Sequence, residues 1–314
     1  MNGKMAIQLK RIQKTMYSYQ RLRYCTKCEI YTSFPEGNCM ICNRPDKLVQ
    51  VSNLAITLTK FRFHIIWLIL ASLFCLALIL CNNPAQIAFT ILIFTAITFF
   101  LKYISAKYFQ SEMAGNLLHI FKNSNDRINS GLDADMNACK EDMNMHKYKD
   151  AYEKLRYIST FLTDDEKKVK KLICLDHFIL RKDMDLEMES LILYDYNIGL
   201  VYYIYELSKV NRSLIKSKAI DYIIKFEEEI LEIENSYEIL GSIAGAVLKT
   251  QQHLTIYMDF VMRYLKYLKR ERVLRLCKLL KSYYVDEWAE LKKETHRIVN
   301  ENYFIDPEFK EFIV

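Results

Sequence analysis

The stretch IIWLILASLFCLALILCNNPAQIAFTILIFTAITFFL, residues 65–101, decides the architecture, because it holds no charged side chain. Ile65 to Cys81 and Ile87 to Leu101 are apolar runs, and with their flanks each reaches the roughly 20 residues an α-helix needs to cross a bilayer. Asn82-Asn83-Pro84 is the one break, and paired Asn with Pro forms turns. The reading is a transmembrane helical hairpin with spans at about 63–81 and 85–104. A buried soluble hairpin is the alternative, although globular core helices seldom run this long without charge.

The flanks orient the hairpin. Lys60 and Arg62 precede the first span, Lys102 and Lys107 follow the second, and the loop between has neither Lys nor Arg. By the positive-inside rule both termini are expected in the cytoplasm of an integral inner-membrane protein. Within the spans Ser72, Thr90, Thr95 and Thr98 can satisfy themselves on backbone carbonyls or bond across the helix pair, and no acid or base lies at mid-membrane. That argues against a transporter or proton path, where an ionisable residue is usual.

Outward from the hairpin, charge is uneven. Residues 1–62 carry eleven Lys and Arg against Glu29, Glu36 and Asp46, whereas the whole chain is only +6. Such placement points to anionic lipid, nucleic acid or a topology signal. Met5, Leu9, Ile12, Met16 and Tyr19 recur at helical spacing, which predicts a basic amphipathic helix over residues 1–20. Lys10, Arg11, Lys14, Arg21 and Arg23 are the candidate contacts to lipid or nucleic-acid phosphates. No apolar h-region occurs in residues 1–24, so a signal peptide is not expected.

Four of the nine cysteines are paired: Cys25 with Cys28, and Cys39 with Cys42, ten residues between the pairs. Each Cys-x-x-Cys turn aims two sulfurs at one point, and two turns complete a tetrahedral metal shell. A redox dithiol is the other use of such a pair. Four thiolates leave no open coordination position, so a structural metal is expected rather than a catalytic one. Cys75, Cys81, Cys139, Cys174 and Cys277 show no spacing pattern and read as reduced thiols.

The stretch Tyr24-Cys25-Thr26-Lys27-Cys28 to Asn38-Cys39-Met40-Ile41-Cys42 resembles the zinc-ribbon family over about residues 21–50. The resemblance implies a small β-domain whose hairpin knuckles hold one structural Zn2+ at Cys25, Cys28, Cys39 and Cys42. Where the common pattern has Gly after each second Cys, Glu29 and Asn43 stand here. Asn tolerates a left-handed knuckle better than Glu does, so the first knuckle is expected to depart from the family's geometry. Gly37, Asn38, Pro35 and Pro45 supply turns near the second.

Residues 105–314 have no proline before Pro307 and five glycines, too few turn formers for a strand-rich domain. An all-helical cytoplasmic domain is expected, a bundle or a solenoid. Helices are read near 106–122, 133–162, 165–182, 185–209, 213–234, 237–258, 259–282 and 284–301. Asn125, Ser130-Gly131 and Asn211 are expected breaks. Thr163 with Glu166 reads as a capping box, and Asp306-Pro307 as a helix start. Arg263, Lys266, Lys269, Arg270, Arg272, Arg275, Lys278 and Lys281 form a cationic run interrupted only by Glu271. Within it, Arg272, Arg275 and Lys278 are candidate phosphate contacts, with a solvated face as the alternative.

No nucleotide loop, nucleophile elbow or metalloprotease helix occurs, and the acidic clusters, Asp133 with Asp135 among them, read as caps or solvated faces. The fold class expected is an all-α membrane protein with a two-span hairpin, a small amino-terminal zinc ribbon and a large helical domain. The function expected is a non-enzymatic adaptor, scaffold or regulator working through other proteins. A membrane-tethered nucleic-acid binder and a non-catalytic subunit of an export or envelope-assembly complex are the alternatives. The composition is that of a low-G+C bacterial chain.

Overall fold

The computed structural model describes residues 4–312 apart from 13, 14, 16, 36, 37, 40, 46, 82, 163, 284 and 285. Lys14, Met16, Gly37, Met40, Asn82 and Thr163, which figure in the sequence reading, lie outside the described residues. The chain forms two units, Gln13–Glu141, and Met1–Ile12 together with Asp142–Val314.

In the first unit a three-stranded antiparallel sheet has the order β2-β1-β3, with β1 Arg23–Cys25, β2 Tyr31–Thr32 and β3 Leu48–Gln50. Tyr24 lies opposite both Tyr31 and Val49, which fixes the register. The last strand passes directly into α1, Val51–Ile79, where the Val51 amide donates to the Leu22 carbonyl at 3.0 Å. Leu22, Val51 and Ala55 are buried together at this junction.

Helix α2, Pro84–Asn123, packs along α1 as an antiparallel partner. Their rings meet at Phe74 and Phe94, 4.9 Å apart, and at Phe63 and Phe109, 6.3 Å apart. The 29 and 40 residues of the two helices give lengths of about 44 and 60 Å, against a hydrocarbon core of about 30 Å. Both therefore outrun their apolar stretch and continue as a polar two-helix stalk. There Arg62 pairs with Glu112 at 2.8 Å, and the Asn116 amide donates to Thr59 at 2.9 Å. The separate helix expected over 106–122 is thus the continuation of α2, which runs unbroken past Lys102 and Lys107 to Asn123. The apolar windows, with mean hydropathies of 2.2 and 2.1, have no buried residue. Nothing within the fold covers them as it would cover the helices of a soluble core.

A second correction concerns Ser130-Gly131, which lie inside α3, Asn125–Asn144, rather than between helices. Gly131 is there because a Cβ would stand 2.1 Å from the Tyr31 carbonyl oxygen. The glycine lets strand β2 approach the helix.

The second unit is helical: α4 Tyr148–Ile158, α5 Asp165–Asp176, α6 Ile198–Val210, α7 Ser217–Lys225, α8 Glu227–Leu231, α9 Ser236–Val247, α10 Gln251–Ile256, α11 Met258–Arg263, α12 Arg270–Ser282 and α13 Ala289–Asn302. The principal packing pairs are α4 on α5, α5 on α6, α6 on α9, α9 on α11 and α12 on α13. Polar partners recur at a similar separation: Tyr205 to Glu238 is 33 residues, Ser208 to Ser242 is 34, and both Asp221 to Tyr257 and Glu227 to Arg263 are 36.

Several helices differ from the sequence reading: those expected over 213–234, 237–258 and 259–282 each divide into two shorter helices, and the one expected over 165–182 ends at Asp176. Residues 133–162 are interrupted where His146 takes a left-handed φ of 58°. The helix expected over 185–209 begins only at Ile198, and the segment before it carries just a 3-10 turn, Glu189–Leu191. Side chains of other elements hold its main chain: the Tyr203 hydroxyl donates to the Glu187 carbonyl at 2.5 Å, Lys168 donates to the Ile192 carbonyl, and the Tyr194 amide donates to Asp165. Helix α5 is capped by Asp164, whose carboxylate accepts from the Lys167 amide at 2.8 Å.

Among the described residues of 1–20 the expected amphipathic helix is not formed. Residues 6–12 have no regular structure, Met5 bridges to Phe178, and Ser18–Arg21 is a single 3-10 turn. The amide and carbonyl of Met5 are used by residues 177 and 179, and tertiary pairing overrides the helical periodicity.

Candidate metal centre and its attachment

The four predicted ligands come together. The sulfurs of Cys25, Cys28, Cys39 and Cys42 all lie within 4.8 Å of one another, and among the described residues this is the one His/Cys/Asp/Glu group placed to hold a metal ion. Cys25 and Cys42 are 3.7 Å apart at sulfur. Four sulfurs at ~2.3 Å from a tetrahedral zinc would be about 3.8 Å from each other, so the spacing fits the ion. The donor set suits zinc or iron. Desolvation and then the Cys42, Cys39 and Cys25 thiols push the Cys28 thiol up to about 12. A cation is what such a cluster needs before its thiols ionise.

The two knuckles repeat one backbone design. The Glu29 amide donates to the Cys25 carbonyl at 2.8 Å, and the Asn43 amide donates to the Cys39 carbonyl at 2.8 Å. Both residues are left-handed, with φ of 56° and 54°. The expected departure at the first knuckle is therefore absent: Glu29 adopts the left-handed form and its carboxylate pairs with Arg127 of α3 at 2.6 Å.

Helix α3 grips the ribbon at a second place. Asp135, 1% exposed, accepts from the Thr32 hydroxyl at 2.8 Å, the Ser33 amide at 2.7 Å and the Ser33 hydroxyl at 2.8 Å. A buried carboxylate with several donors is satisfied, whereas an unpaired one would be costly. Asp135 is thus a buried clamp and not the solvated acid read from the sequence. Nothing in residues 133–135 reveals this; Gly131 in a helix interior is the sequence signal for a close approach.

The candidate phosphate contacts are distributed over both units. Lys10 and Arg11 lie on the extended segment of the helical unit, while Arg21 and Arg23 belong to the ribbon unit, where Arg21 donates to the Thr15 hydroxyl at 3.0 Å. Arg272, Arg275 and Lys278 do come together, with Glu271 and Ser282, around a shallow depression of about 350 Å³ on α12. Arg275 closes the end of α9 by donating to the Leu248 and Lys249 carbonyls at 2.6 and 2.9 Å. Elsewhere in the run, Arg263 pairs with Glu227, Arg270 with Asp306 and Glu308, and Lys281 with Glu311. Four of the eight cations in the run, Arg263, Arg270, Arg275 and Lys281, are engaged by contacts within the chain.

No family model, curated protein or solved structure matches the chain. What fold and site define is therefore a class. It is a mostly helical protein with two helices long and apolar enough to cross a membrane, and with a four-cysteine cluster, beside short strands, suited to a metal ion.

Proposed function

We propose that the protein is a two-span integral membrane protein of the inner membrane with both termini in the cytoplasm. Its ribbon, of the zinc-ribbon type, holds one structural Zn2+, and the chain acts without catalysis as an adaptor, scaffold or regulator of other proteins. The observation that carries the topology is the discontinuous helical unit. Residues 4–12 and 142–312 fall in one compact unit, which supports a segment between them that leaves and returns on one side of a bilayer. Two spans do this and one cannot. The positive-inside rule reaches the same arrangement from charge alone.

Zinc rather than iron is favoured by the role. Two matched knuckles, fixed to a helix at Glu29 and Asp135, make a structural joint with no position for a reacting ligand. The adaptor reading is supported by helices stacked on chain neighbours, an arrangement that offers long binding faces.

Single reporter cysteines at Asn83 and Lys310, treated with a membrane-impermeant thiol reagent, test the topology. Asn83→Cys should label from outside intact cells and Lys310→Cys only after lysis. Equal labelling of the two from outside would overturn it. Crosslinking from native membranes tests the adaptor role. Recovery of a defined stoichiometric protein partner is expected, and recovery of nucleic acid in its place would favour the tethered nucleic-acid binder.

A further inference from the structure

Residues 4–12 lie extended across the helical unit, and the manner of their attachment resembles ligand binding more than core formation. The Met5 amide donates to the His177 carbonyl at 2.8 Å, and the Met5 carbonyl accepts from the Ile179 amide at 2.9 Å. Arg181 donates to the Ile7 carbonyl at 3.1 Å, and Arg156 donates to the Lys10 carbonyl at 2.9 Å. In the other direction, the Lys10 amide donates to Glu153 at 3.2 Å and the Ile12 amide to Asp185 at 3.4 Å. Six main-chain groups of the segment are thus engaged, four of them by side chains of the groove.

Those side chains are held in place beforehand. Arg156 is 4% exposed, and besides Lys10 it grips Asp185 at 2.6 Å and Glu187 at 3.0 Å. Glu187 is in turn fixed by Lys171 at 3.0 Å and by the Ser190 hydroxyl at 2.6 Å. The donors and acceptors facing the segment are therefore ordered by the unit's own ion pairs.

By contrast, few of the segment's side chains contribute. Leu9 is buried, and the Lys4 ammonium meets Glu206 at 2.5 Å with Asp176 at 3.8 Å. Met5, Ala6 and Gln8 are exposed, and Arg11 acts on Asp185 by charge alone. One buried leucine, the Lys4 ion pairs and six main-chain bonds stand against the ordering of nine residues. Such a segment stays in place because it is tethered, which raises its local concentration. Main-chain reading with one or two side-chain anchors is how extended peptides are recognised, and it tolerates sequence change.

We infer that the groove between α4, the 177–187 segment and α6 is a peptide-binding site, occupied in the free chain by its own residues 4–12. Its partner is an extended protein segment carrying Lys or Arg five residues before Leu, which would displace the amino terminus. The inference deepens the adaptor reading by naming where a partner enters, yet it stands on the groove alone.

A fluorescent peptide of residues 4–12, added to the purified full chain and to the chain lacking its first twelve residues, tests it. Saturable one-to-one binding to the shortened chain is expected, at least tenfold weaker binding to the full chain, and at least tenfold loss for peptides carrying Leu9→Ala or Lys4→Ala. Equal binding to both chains, or no binding to a shortened chain that melts like the full one, would overturn the inference. Should the shortened chain not fold, hydrogen exchange of full-length Leu9→Asn decides. Faster exchange at Ile179 with α9 and α12 unchanged supports a displaceable segment, and loss of protection through α9 and α12 together contradicts it. Because the probe is the chain's own sequence, this result is independent of whether crosslinking finds a partner.

Discussion

The ribbon and the helical unit are stabilised by different physics. The helical unit has a continuous apolar core, in which Tyr152, Leu155, Leu175, Leu191, Ile204, Ile243 and Leu276 are all essentially inaccessible. The ribbon has three strands of two or three residues and little to bury beyond Leu22, Tyr31 and its own cysteines. A sheet this small is not stable alone. It has a four-cysteine cluster suited to a metal ion in its middle and helix α3 at its side. Small modules depend on discrete polar attachments, so single substitutions should act far more sharply in the ribbon than in the helical array.

The largest effect should come from the thiols. Cys39→Ser with Cys42→Ser is expected to abolish stoichiometric metal, read by elemental analysis, and to open residues 22–50 to protease, since structural zinc contributes on the order of 10 kcal/mol in small domains. Next are the attachments to α3. Asp135→Ala strips a buried acceptor from Ser33 and Thr32 and should cost about 2–4 kcal/mol, with Gly131→Ala costing about 1–3 kcal/mol through its collision with the Tyr31 carbonyl. Both should lower metal affinity in a chelator competition; unchanged affinity would show that the ribbon stands without the helix.

The helical unit should respond to pH more than to any one surface change. Burial pushes the Asp185 carboxyl up, but the Arg156 guanidinium outweighs it and holds the group below its ordinary range; Glu187 is likewise held low by Lys171, Ser190 and Arg156. With folded values depressed, the unfolded chain binds more protons as acid is added. The stabilisation is present above about pH 4–5 and is lost as pH falls through the folded values. Melting between pH 7 and 3 should show a plateau and then a decline, and Glu187→Gln should flatten that decline.

The smallest effect belongs to Glu29→Gly. It relieves a left-handed residue of about 1 kcal/mol or more and gives up an exposed ion pair of at most about 1 kcal/mol. Ribbon stability should stay level or rise, and a clear loss would show that Arg127 is a more important tether than its exposure suggests.

Much of this was legible before any coordinates. An uncharged run with one Asn-Asn-Pro break has few folded solutions, and two Cys-x-x-Cys pairs ten residues apart have fewer. The scarcity of Pro and Gly disclosed the helical remainder. What stayed hidden depends on long-range partners. Met5, Leu9 and Ile12 fit a helical template, and nothing in them shows that residues 177–179 take the backbone of Met5. Residues 184–188, Met-Asp-Leu-Glu-Met, alternate apolar and acidic side chains at period two, with Met184, Leu186 and Met188 buried. That was a readable sign of extended chain inside what the sequence reading took for helix. Asp135 gave no sign, because its partners lie a hundred residues away.

The most direct test of the central claim, that the metal-held ribbon and α3 form one joint at the base of the hairpin, is hydrogen exchange of the full chain in lipid before and after zinc chelation. Amides of residues 22–50 and of 125–139 should lose protection in step, with α6, α9 and α12 unchanged. Loss confined to residues 22–50, with α3 fully protected, would contradict it.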